Sequence, residues 1–166
     1  QILRLLEELQ AEFDMSVIFV THDLAVVSEI ADRVVVMYAG KVMERGRVEE
    51  VFEAPAHPYT RSLIACLPGR GSAMRRIEGS LPEATDPPEG CRFHPRCEYA
   101  TDGCASGDQP PLYHVGGDGD QSPSDPGDGD RQSPAPVGGD ADHTAACVYY
   151  GPAHDVSTLE DGGDRQ

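Results

Sequence analysis

Polar and apolar positions follow two different periods in the first third of the chain and lose both towards its end. Ile2, Leu5, Leu6, Leu9 and Phe13 recur at three- and four-residue steps, the stripe of an amphipathic helix. After a short turn at 13–16 comes an unbroken, mostly β-branched run over 17–21, which predicts a strand buried on both faces. It stops at Thr21, His22 and Asp23. Asp23 is placed to cap a helix over 24–30, with Leu24, Val27 and Ile30 on one face. Residues 33–38 and 41–45 predict an antiparallel hairpin at a sheet edge, joined by Ala39-Gly40 and ended by Gly46. A short helix over 48–52 and a second one, opened by Pro58 and running to Leu67, follow. Helices alternating with strands over so few residues indicate an α/β class. In such sheets ligands bind beyond the carboxyl ends of parallel strands, which is where His22 and Asp23 would stand.

Past residue 68 the periodicity fades. Residues 69–90 read as an extended linker with prolines at 82, 87 and 88. Residues 115–142 are Gly, Asp, Ser, Pro and Gln with almost no apolar side chains, a composition that cannot offset the entropy of ordering and predicts disorder. Residues 151–166 return to a polar tail, expected to be disordered as well.

Charge sharpens this division. The net charge is −16. Residues 1–80 carry 9 basic and 12 acidic side chains, and residues 81–166 carry 4 and 17. A surface this acidic lacks the basic footprint of nucleic-acid binding. Lys41 is the one lysine among 13 basic residues, a balance expected of adaptation to high salt, where self-repulsion is screened. No run approaches the ~18 apolar residues of a membrane span, and no signal peptide is visible. A soluble protein on the cytoplasmic side is the expectation.

Five cysteines in that setting point to metal or redox chemistry rather than to a disulfide framework. Four of them, Cys91, Cys97, Cys104 and Cys147, are separated by 5, 6 and 42 residues. Four thiolates suit a tetrahedral Zn²⁺ site or an iron–sulfur cluster, and the short C-x₂₋₄-C pairs typical of structural zinc are missing. His94 and His143 lie beside these cysteines and read as supporting or exposed groups. His57 at a helix entrance reads as a cap or packing group, and Cys66 as a buried apolar thiol. His22, at the end of its strand, could contact a phosphate oxygen.

Val20-Thr-His-Asp23, with its flanking helix and hairpin, resembles the switch-histidine region of ABC-transporter ATPases. Pro55-Ala-His-Pro-Tyr-Thr60 and the cysteine pattern, ending in His143-x-x-x-Cys147, resemble the ATP-binding subunits of dipeptide and oligopeptide importers. The resemblance implies that residues 1–47 are the C-terminal part of a P-loop ABC ATPase domain. Residues 48–90 would then be the transporter-specific helices and linker, and residues 91–150 a small irregular four-cysteine module interrupted by the 115–142 insertion. It implies a γ-phosphate contact for His22 and a [4Fe–4S] cluster on Cys91, Cys97, Cys104 and Cys147, with Zn²⁺ the alternative.

For the whole subunit the resemblance implies ATP and Mg²⁺, a second ATPase subunit (identical or a paralogue), two transmembrane permeases and, indirectly, an extracellular solute-binding protein. Its place would be peripheral, on the cytoplasmic face of the membrane. No G-x-x-x-x-G-K-[ST] phosphate loop occurs in the sequence, and the family's signature and Walker B motifs are missing too. The chain therefore reads as a C-terminal fragment, inactive alone as an ATPase. Two alternatives stand beside this reading. One is a stand-alone iron–sulfur or zinc module without a transport role. The other is an importer of nickel or another small solute.

Overall fold

The hairpin forms where the sequence places it. In the computed structural model, which describes residues 2–67, 77–116, 143–152 and 159, β1 (Arg33–Tyr38) pairs antiparallel with β2 (Lys41–Arg47). Ala39 and Gly40 both take positive φ, 46° and 79°, the geometry of the two-residue turn whose twist matches a hairpin. Gly46 does not end the strand as expected. It stays inside β2 opposite Val34, because a Cβ there would lie 3.0 Å from Val51 Cγ2 and 3.1 Å from His143 Cδ2. Glycine at 46 lets two neighbouring segments approach the sheet.

Two further short strands complete the sheet. β3 (Tyr113–His114) pairs with β4 (Thr144–Ala145), and β4 pairs with β2, giving the order β1-β2-β4-β3. Every pairing is antiparallel, so the described residues contain no parallel pair of the kind the predicted crevice required. The pairing of Val36 with Glu44 and of Met37 with Val42 leaves Met43 as an extra residue in β2. Such a bulge breaks the strict alternation of faces. Met43 and Glu44, though adjacent, are both fully buried.

The helices are α1 (Ile2–Phe13), α2 (Leu24–Ile30), α3 (Val48–Glu53) and α4 (Pro58–Ala65). Asp23 caps α2 as the sequence suggests, its carboxylate accepting from Ala25 and Val26 N–H at 3.0 and 3.4 Å. In α3 the Glu50 carboxylate reaches back to the Arg47 N–H at 3.2 Å. Val48, Phe52 and Ile64 pack α3 against α4, with Leu24 and Val27 of α2 laid on them. Two other apolar clusters surround the cysteines.

The central expectation of a doubly buried strand at 17–21 is overturned. Residues 15–21 have no regular structure, and Ile18 and Val20 are 94% and 92% exposed. A strand needs a neighbour to take its backbone hydrogen bonds, and none of the described strands pairs with this run. Cys66 is likewise exposed rather than buried. Helix α4 ends at Ala65, so Cys66 falls at the cap and leaves the apolar face it was assigned to. Most of the insertion predicted to be disordered, residues 117–142, lies outside the described residues. So do residue 68, residues 69–76 of the linker and most of 151–166. β3 and β4 flank the insertion on adjacent strands, with the Val115 N–H donating to His143 O at 2.9 Å.

Candidate metal centre

The site begins with the bulge in β2. By turning Glu44 inward it places a carboxylate among backbone donors, out of contact with bulk solvent. Glu44 Oε1 and Oε2 accept from the Ala56 and His57 N–H groups, each at 2.8 Å, just before α4. The His143 ring meets the same carboxylate, Nε2 to Oε1 at 2.6 Å. One buried side chain therefore joins the hairpin, the entrance of α4 and the segment leading into β4. Arg45 adds a second link to β4, donating from Nε to Thr144 Oγ1 at 3.1 Å. A charge with no exposure persists only when its oxygens are hydrogen-bonded, as these are.

The cysteines sit where two apolar clusters meet. Cys91 and Cys104 pack with Tyr38, Met43 and Phe93, and Cys97 lies against that cluster. Cys147 packs with Ala56, Ala145, Tyr149 and Tyr150, and Val148 touches both clusters. Gly90 makes the first approach possible. At φ +63° its missing Cβ would fall 2.3 Å from Cys104 O, so only glycine lets the Cys91 N–H reach that carbonyl at 2.9 Å. A 3₁₀ turn at His94–Arg96 then delivers Cys97, and a second at Asp102–Cys104 ends on Cys104.

The electrostatics of the four follow from this packing. Burial pushes the Cys97 and Cys147 thiols up to about 12, helped by the charge their neighbouring cysteines would carry. Burial also raises Cys91, with Cys104 adding to it. Backbone N–H groups two residues on work the other way: Phe93 hydrogen-bonds to Cys91, Tyr99 to Cys97 and Tyr149 to Cys147. Thr101 Oγ1 lies 3.4 Å from Cys104 Sγ. None of the four is in a disulfide. Among the described residues no group of three or more His, Cys, Asp or Glu side chains is drawn in tightly enough to hold a metal ion as it stands. The four thiols are mutual neighbours, three of them disfavoured as bare thiolates by burial, with a backbone N–H directed at each of those three sulfurs.

His57 caps α4, its Nδ1 accepting from the Tyr59 N–H at 3.1 Å, which bears out its assignment as a cap. Burial lowers its pKa to about 4, against the pull of Glu44. Its ring packs edge-on to Phe93, which also meets Tyr38 and Tyr59.

Residues 43–104, from the bulge to the third cysteine, match the family model of the oligopeptide/dipeptide transporter C-terminal region. The chain is similar to that region over those residues. It is 45% identical over 119 residues to the dipeptide transport ATP-binding protein DppD of Haemophilus influenzae, covering 70% of this chain and 36% of that one. It is 46% identical over 124 residues to a putative peptide import ATP-binding protein of Brucella ovis, covering 69% and 36%. A third relative, from Brucella abortus, is 44% identical over 126 residues, covering 74% and 38%. The chain spans just over a third of the length of the curated relatives it matches. The resemblance to peptide-importer ATP-binding proteins, first visible in Val20–Asp23 and the cysteine pattern, holds.

Within the transporter region the structure gathers Cys91, Cys97 and Cys104, and it adds Cys147 from beyond the insertion. His22 stands elsewhere in kind: exposed, in the bend before α2, beside the Asp23 N–H bonded to Thr21 Oγ1 at 2.9 Å. Sequence reasoning missed Glu44. A lone glutamate in a strand resembles any solvent-facing residue, and only the bulge shows that it points inward. His143 was noted for its place next to Cys147, yet its partner is Glu44. Arg96 was not singled out either. It donates to the Glu78 and Ile77 carbonyls at 2.8 and 2.9 Å and to Tyr38 Oη at 3.2 Å, fastening the end of the linker to the cysteine turn.

Proposed function

We propose that this chain is the C-terminal portion of the energy-coupling, ATP-binding subunit of an ABC importer for di- or oligopeptides. The observation that carries the reading is the match of residues 43–104, together with relatives named for dipeptide transport and peptide import. Residues 1–47 complete the ATPase domain, residues 48–90 carry the transporter-specific helices, and residues 91–150 form the four-cysteine module. The subunit works with a second ATPase subunit and two permeases on the cytoplasmic face of the membrane. Among the described residues no helix is long and apolar enough to cross a membrane. The chain alone does not hydrolyse ATP, since the phosphate loop that would hold Mg²⁺-ATP is not in its sequence. His22 is the residue that would face the γ-phosphate in the assembled subunit. Its exposure at the mouth of a helix capped by Asp23 supports that role.

Cys91, Cys97, Cys104 and Cys147 would hold a [4Fe–4S] cluster, with Zn²⁺ the second choice. The missing short C-x₂₋₄-C pairs, typical of structural zinc, favour the cluster over zinc. When bound, the cluster supplies a metal clasp for a module with little core, and one-electron chemistry. The excess of acidic residues over one lysine supports a setting of high ionic strength, so thermal stability should rise with added KCl.

Deleting the gene and measuring uptake of a labelled dipeptide and of nickel tests the transport reading. Loss of dipeptide uptake alone supports it, loss of nickel uptake alone moves the solute, and loss of neither overturns it. Iron, zinc and sulfide analysis of anaerobically purified protein tests the centre. About four irons and four sulfides per chain support the cluster. One zinc without sulfide replaces it with a structural clasp, and no metal ends the metal reading. Detectable ATP turnover by the isolated chain would contradict its inactivity.

A further inference from the structure

Leu159 is the one leucine in residues 151–166, a stretch whose composition reads as a polar tail. It is nonetheless only 2% exposed. Its side chain belongs to the apolar cluster of Ala56, Ala145, Tyr149 and Tyr150. That cluster joins two stretches far apart in sequence, the entrance of α4 and the turn that follows β4. A tail leucine leaves water only where apolar surface is ready to receive it.

The backbone of Leu159 is held as well. Arg61, on α4, donates from Nη1 to the Leu159 carbonyl at 2.7 Å and from Nε to the Pro55 carbonyl at 2.8 Å. The same guanidinium hydrogen-bonds Tyr150, whose hydroxyl lies 3.5 Å from the Ala56 carbonyl. Its planar fork of donors thus spans Pro55, Tyr150 and Leu159 at once. The Pro55 and Tyr150 contacts set the guanidinium in place without help from the tail. We propose that α4 and the Val148–Tyr150 turn form a docking socket for the chain's own C-terminal tail, with Leu159 as the apolar anchor and Arg61 as the clamp on its carbonyl. The docked tail is a brace. It ties the entrance of α4 to residues 145–150, which lie beyond the insertion. Neither a bound metal nor an assembled transporter is needed for this contact.

Hydrogen exchange read by mass spectrometry on the full chain tests the brace, because amides in both stretches are hydrogen-bonded: Arg61 N–H to His57 O, Ala146 N–H to Met43 O and Tyr150 N–H to Cys147 O. Leu159→Asp places a charge in the cluster. Peptides covering 55–62 and 145–151 should then exchange roughly tenfold faster, with the hairpin at 33–42 within about twofold of the wild type. Leu159→Ala should move the same two peptides by a smaller factor, and Leu159→Met should match the wild type. Arg61→Lys keeps the charge but loses the fork, and should fall between Leu159→Met and Leu159→Asp. Unchanged exchange of both peptides in Leu159→Asp overturns the proposal. So does a rise shared equally by the hairpin in both Leu159→Asp and Leu159→Ala, the mark of general loosening. Wild-type protection should survive about tenfold dilution, and its loss would put a second copy's tail in the socket and overturn the assignment to the chain's own.

Discussion

Residues 2–21 contain a denser run of apolar side chains than residues 91–104, yet the second segment buries several side chains and the first buries none. Helix α1 buries no residue, and Ile18 and Val20 lie almost fully in solvent. In the cysteine turns Phe93 is 1% exposed, and Cys91 and Cys104 are buried. The difference lies in what each segment is offered. The turns at 91–104 receive Tyr38 and Met43 from the hairpin, the Cys104 carbonyl through Gly90, and the Arg96 links to the linker. The run at 17–20 is offered no strand edge and no facing layer among the described residues. Apolar character gives a segment a reason to be buried, but partners with matching surface and hydrogen bonds decide whether it is.

Substitutions in the two regions should therefore differ sharply. The largest effect is expected at Glu44. Removing its carboxylate in Glu44→Ala strands the Ala56 and His57 N–H groups and the His143 ring without an acceptor, a loss of about 3 kcal/mol or more on the usual scale for a broken buried charged network. Urea unfolding followed by tyrosine fluorescence would show it as a lowered midpoint. Gly90→Ala comes next, at about 2 kcal/mol, because the new methyl must displace the Cys104 carbonyl in a backbone region that disfavours side chains. If the proposed centre holds metal, its content per chain should fall with it, since Cys91 and Cys104 would be pushed apart.

The N-terminal side should answer more weakly. Asp23→Ala removes the cap of α2 and should cost about 1 kcal/mol, read as a small loss of helical circular dichroism and a lower melting temperature, with Asp23→Asn largely spared. Ile18→Ser should change stability by less than about 0.5 kcal/mol, because the side chain it removes is already in water. Light scattering should show the Ile18→Ser protein aggregating less, since it shortens an exposed apolar strand-like run. A destabilisation by Ile18→Ser as large as that of Glu44→Ala would break the comparison, for it would mean that residues 17–20 are packed in solution.

Much of the local structure was legible in the residues. The hairpin needed only a β-branched run, a facing strand segment and a tight turn, and α2 and α4 needed only Asp23 and Pro58 at their starts. The end of β2 was misread because Gly46 has two meanings. Glycine breaks strands, and it also admits close neighbours, and the choice depended on Val51 and His143 from other parts of the chain. Cys66 was misread because a helix ending two residues early turns a face-aligned thiol outward.

The sequence by itself determined the elements whose causes are local: caps, turns, the helical stripe, the composition of the insertion, and the four cysteines as one candidate set. The tertiary structure alone decided which of those elements found partners. It left the most apolar run exposed, and it turned Glu44 inward through a one-residue bulge. It also joined His143 to a carboxylate 99 positions away and set the His57 ring against Cys91. Local patterns depend on backbone geometry within a few residues, which any sequence displays. Burial and hydrogen-bond pairing depend on what the rest of the chain brings to the same place, and spacing along the sequence carries little record of that.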